Sequence, residues 1–394
     1  MKARKFREGV QWMGAVDWDR RLFDSLIPLP DGTSYNAYLV EGSEKVALLD
    51  TVDPSMTGLL MTQLDSVPHI EYVVAHHAEQ DHSGSILRVL EKYADAQVVA
   101  TPKAKKMLVD LLCLPESRII PVDDGETLSL GDRTLEFIHT PWVHWPETMV
   151  TYLQEDRILF SCDFFGSHLA TTDLTVTEEW RVYEAAKRYY AEIMMPFRRV
   201  IQKNLEKVDA LEFDLIAPSH GPIYDDPAFI VDAYRDWVSP RMKNEVVLPY
   251  VSMHGSTYEM AMHLTDALAR RGVTVHAFDL AVTDIGKLAI ALVDAATLIV
   301  GTPTVHVGPH PAVYYAAHLA NLLRPKLRHA AIIGSYGWNS RAVEQISALI
   351  PNLNVDVLGA FMHKGRPTQK TFAELDGLAD AVANAHRNEE LVAV

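Results

Sequence analysis

Four side chains that bind divalent metal ions well, His77, Glu79, Asp81 and His82, fall within six consecutive residues of this chain. The apolar run over residues 70–75 predicts a buried strand before them, and the periodicity after them predicts a helix. The four side chains would therefore lie on a strand-to-helix loop. Side chains two apart on an extended loop can converge on one ion, while the adjacent Asp81 and His82 can face a second. We predict a pair of metal ions here.

A polar surface loop could carry these residues by chance, because the chain has 17 histidines. Three later fragments argue against chance. Each predicted strand over residues 135–139, 157–161 and 214–217 leads into a lone metal-binding residue. These residues are His144, Asp163 and His220. Strand ends are where a rigid scaffold presents functional groups on loops, so all seven residues are candidate metal ligands.

The order His-x-Glu-x-Asp-His, then His, Asp and His, resembles the metallo-β-lactamase superfamily. The zinc hydrolases of that superfamily usually carry a histidine where this chain has Glu79, and an added oxygen donor favours iron over zinc. This pattern is similar to that of the flavodiiron proteins, or A-type flavoproteins. The fragments at residues 144–149 and 217–221 also look like that family. The resemblance covers nearly the whole chain.

The second half of the chain reads as short apolar strands alternating with helices, which is typical of a doubly wound parallel sheet with a ligand at the carboxyl ends of its strands. A hydroxyl- and glycine-rich loop after its first strand can bind a phosphate, although many strand-to-helix turns share that composition. That loop comprises Ser252, Met253, His254, Gly255, Ser256 and Thr257.

Two later loops of this half look like the flavin-ring loops of a flavodoxin. The resemblance implies FMN bound by the phosphate loop and by two further sets of residues, with Trp338 or Tyr336 stacking on the ring. These sets are Pro303, Thr304, Val305 and His306, and Ser335, Tyr336, Gly337, Trp338 and Asn339. The chain departs from commoner family members at His254, His306, Gly308 and His310.

The predicted fold class is therefore mixed, α/β and α+β. Residues 1–243 are expected to form an αββα metallo-β-lactamase-like sandwich that carries the diiron site. Residues 244–394 are expected to form a flavodoxin-like doubly wound parallel sheet that binds FMN. Pattern alone predicts only an α/β or α+β chain for the first half, and the sandwich comes from the resemblance.

The composition of the chain limits the classes of partner that we expect. A net charge of −16 argues against nucleic acid and anionic membranes as partners, and no apolar span long enough to cross a bilayer stands out. Two cysteines without a Cys-x-x-Cys pair suit a reducing cytoplasm, and they are too few for a rubredoxin-type module. We therefore expect an external electron donor, and within the family both rubredoxin-like proteins and reduced deazaflavin serve.

The resemblance also assigns roles. It implies two non-haem irons per chain, one held by His77, Glu79 and His144 and the other by Asp81, His82 and His220, with Asp163 between them. O2, NO or both would be the substrates. A head-to-tail homodimer, or a dimer of dimers, is expected to bring the FMN of one chain to the irons of the other. A helix is predicted over residues 178–194, and its Tyr189 and Tyr190 are expected in the core or on a ridge, unless one of them hydrogen-bonds near the metals. His168 is a candidate for supporting the ligands, with a surface position as the alternative.

Two other functions stay open at this point. A dinuclear zinc hydrolase fused to a flavodoxin would need no reductant, and Glu79 argues against it. An electron carrier or redox sensor would use only the flavodoxin half and would consume neither gas.

Overall fold

The computed structural model describes residues 2–391 and forms two compact units, residues 2–190 with 197–238 and residues 191–196 with 239–391. The strands of the first unit are β1 (Arg4–Arg7), β2 (Val10–Trp12), β3 (Ala15–Asp17), β4 (Leu22–Phe23), β5 (Ile27–Pro28), β6 (Thr33–Tyr35), β7 (Tyr38–Glu41), β8 (Val46–Leu49), β9 (Tyr72–Val74), β10 (Gln97–Ala100), β11 (Ile119–Pro121), β12 (Thr127–Ser129), β13 (Thr134–His139), β14 (Met149–Leu153), β15 (Ile158–Cys162) and β16 (Leu215–Pro218). Its helices are α1 (Thr57–Gln63), α2 (Gln80–Ser83), α3 (Ile86–Lys92), α4 (Pro102–Leu112), α5 (Glu179–Tyr189), α6 (Arg198–Val208) and α7 (Pro227–Val238).

Two β-sheets form the centre of the first unit. The larger sheet has the order β1-β2-β7-β8-β9-β10-β11 and the smaller has the order β12-β13-β14-β15-β16. Pairing is parallel from β8 to β11 and between β15 and β16, and antiparallel elsewhere in the two sheets. The small hairpin β4–β5 belongs to neither sheet.

Burial on both faces explains the continuous apolar run of β8. Val46 and Leu48 join a core that includes Leu60 of α1, whereas Ala47 and Leu49 join a second core between the two sheets. A strand covered on both faces has no solvent side, so it does not alternate apolar with polar residues.

The outer face of the smaller sheet is covered as well. Val150, Leu159 and Ile216 are fully buried although they lie outside the core between the sheets. The buried apolar stripes of α6 and α7 provide surface of the kind that covers such a face. The αββα sandwich expected from the sequence is confirmed.

The second unit is a parallel sheet with helices. Its strands are β17 (Lys243–Tyr250), β18 (Thr274–Asp279), β19 (Ala295–Val305), β20 (Gly308–Pro309), β21 (His329–Tyr336) and β22 (Asp356–Lys364), and its helices are α8 (Ser256–Ala269), α9 (Ile285–Leu292), α10 (Pro311–Leu323), α11 (Ala342–Leu349) and α12 (Gln369–Asn388). The order β18-β17-β19-β21-β22 is that of flavodoxin-like sheets, in which ligands bind at the carboxyl ends of the strands. The flavodoxin-like expectation is confirmed.

Some element boundaries differ from the sequence predictions. The helix predicted over residues 178–194 is α-helical only to Tyr189 and continues as a π-helical turn over Tyr190–Met194. Strand β22 was not predicted, because its side chains are exposed or half-buried and form no apolar run. Strand β19 reaches Val305, so part of a predicted flavin loop lies at a strand end.

Between residues 2 and 391, no helix is both long and apolar enough to cross a membrane.

Candidate metal centre and flavin site

All seven predicted ligands lie just beyond strand ends of the two sheets of the first unit. His77 and Glu79 follow β9, and Asp163 follows β15 directly. Asp81 and His82 lie in the short helix α2, not in an open loop as the sequence predicted. The list is completed by His144 after β13 and His220 after β16. Their side chains meet in two groups.

The first group contains His77, Glu79, His144 and Asp163. Oε2 of Glu79 lies 3.0 Å from Nε2 of His77 and 3.2 Å from Nε2 of His144. Oδ2 of Asp163 lies 3.5 Å from Nε2 of His77 and 3.6 Å from Nε2 of His144. Ligand atoms about 2.1 Å from one ion are about 3.0 Å apart at right angles and about 3.4 Å apart at tetrahedral angles. These separations suit one metal ion.

The second group contains Asp81, His82 and His220. Oδ2 of Asp81 lies 3.4 Å from Nε2 of His82 and 3.2 Å from Nε2 of His220. The other oxygen of Asp163, Oδ1, lies 3.1 Å from Nε2 of His82 and 3.3 Å from Nε2 of His220. Asp163 therefore presents one carboxylate oxygen to each group, as a bridging ligand does.

Several of these atoms are buried without hydrogen bonds. Within the described chain, both oxygens of Asp81, both oxygens of Asp163 and Nε2 of His82 have no hydrogen-bond partner. The atoms lie near one another, but they do not point at one another with hydrogen-bond geometry. Buried polar atoms without partners are rare and call for an ion or water that satisfies them. A cation within each group would do so.

The electrostatics also favour a cation. Burial opposes the charged form of Glu79, but hydrogen bonds with His144 and His77 hold its pKa well below the usual range. Burial likewise opposes the charged form of His220, but the negative carboxylates of Asp163 and Asp81 beside it raise its pKa to about 10. These carboxylates favour the protonated form of the imidazoles beside them. A metal ion that binds between them would take the place of those protons, which the imidazoles would release.

Two of the imidazoles form hydrogen bonds through Nδ1 with groups that the sequence did not reveal. Nδ1 of His77 lies 2.7 Å from Oε1 of Glu147, which also accepts the Ala78 N–H at 3.1 Å. Nδ1 of His220 donates to the Ser34 carbonyl at 2.7 Å. Such bonds fix the orientation of a ligating ring and leave Nε2 for the metal. Glu147 is 70 residues from His77, so only the fold pairs them.

His168 and the tyrosines fall where the sequence suggested. The His168 ring is 4.8 Å from that of His220, and its Nδ1 lies 2.9 Å from the Thr33 hydroxyl. Tyr189 is buried and lies close to Asp163. Tyr190 is buried and donates to the Trp237 carbonyl.

A hairpin that the sequence did not reveal lies beside the two groups. Phe23 at the end of β4 packs its ring 5.0 Å from that of His168. The next residue, Asp24, has a left-handed backbone (φ +49°) and is near Glu79 and Asp81. Partial burial raises the pKa of the Asp24 carboxyl, and the negative charges of Glu79 and Asp81 raise it further. An exposed acid in a short turn has no sequence feature that would mark it.

In the second unit, the predicted phosphate loop follows β17, and Ser256 and Thr257 open α8. Gly255 has φ +90°, and a Cβ there would meet only an oxygen of Glu259 at 4.0 Å. The Ser252 hydroxyl accepts the Gly255 N–H, and no side chain caps α8. The first turn of this helix thus keeps N–H groups for an anion.

The other predicted flavin residues cluster at the same sheet edge. The Thr257 and Ser335 hydroxyls are 3.1 Å apart, which brings the start of α8 to the end of β21. The Thr304 hydroxyl donates to Ser340 at 2.8 Å, which ties the end of β19 to the loop after β21. Pro303 is buried, and Val305 is half-buried.

The exposed members of this cluster include aromatic and imidazole rings. Trp338 is 84% exposed and Met253 is 53% exposed, and the remaining exposed residues are His254, His306, Gly337 and Asn339, with Tyr336 half-buried. An indole left this exposed offers a flat apolar face to a ligand. His306 has φ +46°, whereas His310 caps α10 through its Nδ1.

The chain is similar to one protein family model and to several known proteins. Residues 33–221 match the family model described as "ODP family beta lactamase". The nitric oxide reductase of Moorella thermoacetica is 35% identical over 89% of this chain and 90% of its own length. The type A flavoprotein fprA of Rhodobacter capsulatus is 34% identical over 88% and 83% of the two chains. A coenzyme F420H2 oxidase of Methanothermobacter marburgensis is 33% identical over 90% and 91%.

Two solved structures have the same fold along nearly the whole chain. The rubredoxin oxygen:oxidoreductase from Desulfovibrio gigas has a TM-score of 0.95 at 30% identity, over 99% of this chain and 100% of that one. The flavodiiron protein from Giardia intestinalis has a TM-score of 0.92 at 29% identity, over 100% and 99%. The similarity thus extends over both compact units.

Proposed function

Because the chain belongs to the flavodiiron protein family, also called the type A flavoproteins, we propose that it reduces O2 to water, NO to N2O, or both, at a non-haem diiron centre that receives electrons through FMN. The observation that carries this proposal is Asp163, whose two oxygens face two separate groups of ligands. Glu79 adds an oxygen donor to the first group, and oxygen donors favour iron over zinc.

The ligand set fits two irons. His77, Glu79 and His144 would hold the first, Asp81, His82 and His220 the second, and Asp163 would bridge them. The buried oxygens of Asp81 and Asp163 that lack partners would gain them. When bound, the irons and FMN supply redox chemistry, with FMN taking up a hydride or single electrons and passing electrons on singly.

The surrounding residues hold and shield the centre. Glu147 and the Ser34 carbonyl fix the His77 and His220 rings, so both imidazoles keep Nε2 pointed into the site. The ligands are buried except for the partly exposed His144, so bulk water has little access. Asp24 lies near Glu79 on the exposed side of the site.

The flavin-site residues fit FMN. The open left-handed position of Gly255 and the uncapped first turn of α8 suit a phosphate. Ser252, Met253, His254, Ser256 and Thr257 would complete that contact. The ring contacts are assigned to Thr304, Val305, His306, Ser335, Tyr336, Gly337, Trp338 and Asn339, whereas the burial of Pro303 leaves only its backbone available.

The finer assignments belong to the same proposal. We assign the diiron centre to a domain of residues 1–243 and FMN to a domain of residues 244–394. The working assembly is a head-to-tail homodimer or a dimer of dimers in the cytoplasm. The similarity to an F420H2 oxidase supports a reduced deazaflavin as donor, with a rubredoxin-like protein as the other candidate.

The test measures metal and flavin content first and gas consumption second. About two irons and one FMN per chain, with rapid consumption of O2 or NO after anaerobic reduction, is the expected result, and the faster gas is the substrate. Zinc without gas consumption after ferrous reconstitution would overturn the proposal in favour of a hydrolase. Sedimentation of the holoprotein as a monomer at full turnover would refute the dimer.

A further inference from the structure

A buried hydrogen-bond network lies beneath the metal ligands. Its central residue is Asp50, which follows β8 and has a left-handed backbone (φ +54°). Oδ1 of Asp50 accepts the His76 N–H at 2.9 Å, and Oδ2 lies 2.7 Å from Nδ1 of His76 and accepts the Ser219 hydroxyl at 3.2 Å. Nε2 of His76 lies 2.7 Å from the Thr151 hydroxyl in β14. These residues are all nearly or fully buried.

Three residues held by this network each directly precede a candidate ligand in the sequence. His76 precedes His77, and Ser219 precedes His220. The Ser219 N–H donates to the carbonyl of Cys162 at 2.8 Å, and Cys162 precedes Asp163. The network therefore holds three residues, each of which directly precedes a candidate ligand. These ligands are His77 of the first group, His220 of the second group and Asp163 between the two groups.

Another role for these residues is a third metal site, since Asp50, His76 and Cys162 also offer ligand atoms within 4.8 Å of one another. The hydrogen bonds argue against it. A carboxylate only accepts, so Nδ1 of His76 carries the proton that Asp50 accepts. Nε2 then accepts from the Thr151 hydroxyl. Neither ring nitrogen of His76 keeps a free lone pair for a metal.

We propose that Asp50 and His76 are positioning residues that set the spacing between the two metal positions by holding the three ligand-bearing loops to one another and to β14. This inference rests on the proposed diiron centre, but it concerns where the ligands stand and not which gas is reduced. His76 is thus a histidine next to a ligand that acts through hydrogen bonds alone. Loss of its ring bonds would loosen His77 and, through Asp50 and Ser219, also His220.

The test loads metal-free full-length protein with Co2+, whose visible absorption reports coordination and whose binding needs no electron donor. His76→Leu removes both ring bonds, whereas His76→Asn keeps an amide in reach of Asp50. His76→Leu is expected to weaken Co2+ binding at both positions by about tenfold to hundredfold and to change the absorption bands, as loss of groups that support ligands does. His76→Asn is expected to keep the wild-type spectrum and most of the affinity.

His329→Leu is the matched control, because it replaces a buried histidine of the second unit. It is expected to leave Co2+ affinity and spectrum unchanged, even if both leucine variants unfold at lower temperature. Equal Co2+ affinity in wild type and His76→Leu would overturn the proposal. So would three Co2+ ions per wild-type chain with one lost in His76→Leu, because His76 would then be a ligand.

Ser219→Ala keeps the inference testable if His76→Leu does not fold. It removes one hydroxyl from Asp50 and is expected to weaken Co2+ binding mainly at the position of Asp81, His82 and His220. Unchanged binding there would count against the network. If wild-type protein loaded with iron reduced neither gas, the proposed function would fail while the Co2+ comparison still decided the role of His76.

Discussion

Glu147 offers a sharp test of how the centre is supported. Its side chain is fully buried, and its Oε1 lies 2.7 Å from Nδ1 of His77. Two substitutions separate its two contributions. Glu147→Gln keeps an oxygen that can accept from His77 and from the Ala78 N–H but removes the negative charge. Glu147→Ala removes the acceptor as well and leaves the buried Nδ1–H of His77 without its carboxylate acceptor.

The structure sets the size of the effect. A hydrogen bond to a charged group contributes about 1.5–3 kcal/mol, and about 1.4 kcal/mol corresponds to tenfold in a binding constant. Glu147→Ala should therefore weaken metal binding by roughly tenfold to hundredfold, which is also the usual range for partners of ligating histidines. Glu147→Gln should lose less, because only the charge assistance is gone.

Chelator competition with the metal-loaded protein measures these constants, and metal content after dialysis provides an independent readout. Glu91→Gln is a suitable control, since Glu91 is an exposed residue of α3 that pairs with Arg88. Metal affinity of Glu147→Ala within about threefold of wild type would refute the reasoning. An equal loss in Glu147→Gln and Glu147→Ala would show that charge, and not ring orientation, is what matters.

Three further perturbations probe separate parts of the molecule. Asp163→Asn replaces one bridging oxygen with an amide N–H donor, so metal analysis should find about one ion per chain where wild type holds two. Trp338→Ala removes the most exposed ring at the flavin site and should weaken FMN binding about threefold to tenfold in a fluorescence titration; unchanged affinity would exclude stacking. Burial lowers the pKa of His386 from 6.5 to about 4 in the folded state, and the nearby His329 adds to this. The unfolded chain therefore takes up a proton first, and stability present above about pH 6.5 should fall by about 1–2 kcal/mol by pH 5. Hydrogen exchange of α12 measures this fall, and a His386→Gln variant that keeps the same pH dependence would contradict it.

The seven candidate ligands could be predicted because each belongs to a segment with a readable pattern. An apolar run predicts a strand, and a histidine or acid directly after it lies where strands of one sheet end together. Glu147 and Asp50 could not be assigned in this way. Both are acids near strand ends too, and only the three-dimensional pairing shows that they face imidazole nitrogens and not the metal positions.

His76 and His77 show the limit most directly, since two adjacent histidines have opposite uses. Successive side chains of an extended segment point to opposite sides, so only one of the pair can face the ligands. Alternation alone does not say which one. The decision comes from the neighbours, because His76 finds Asp50 and Thr151 whereas His77 finds Glu79 and Asp163. Strand β22 could not be predicted either, because its residues are exposed or half-buried. Which of its side chains are covered depends on the neighbouring elements and not on its own sequence.

The negative charge of Glu79 bears on whether the site suits a redox reaction or hydrolysis. Two divalent ions bring four positive charges, and Glu79, Asp81 and Asp163 return three, whereas a histidine at position 79 would leave only two carboxylates. A zinc pair keeps its charge throughout a hydrolytic reaction and needs no further compensation. A metal pair that gives up electrons to a gas becomes more positive, and in a buried site that rise is costly unless nearby anions offset it. Replacing an imidazole with a carboxylate therefore stabilises the oxidised state of the pair, which is of use to an oxidoreductase and not to a hydrolase.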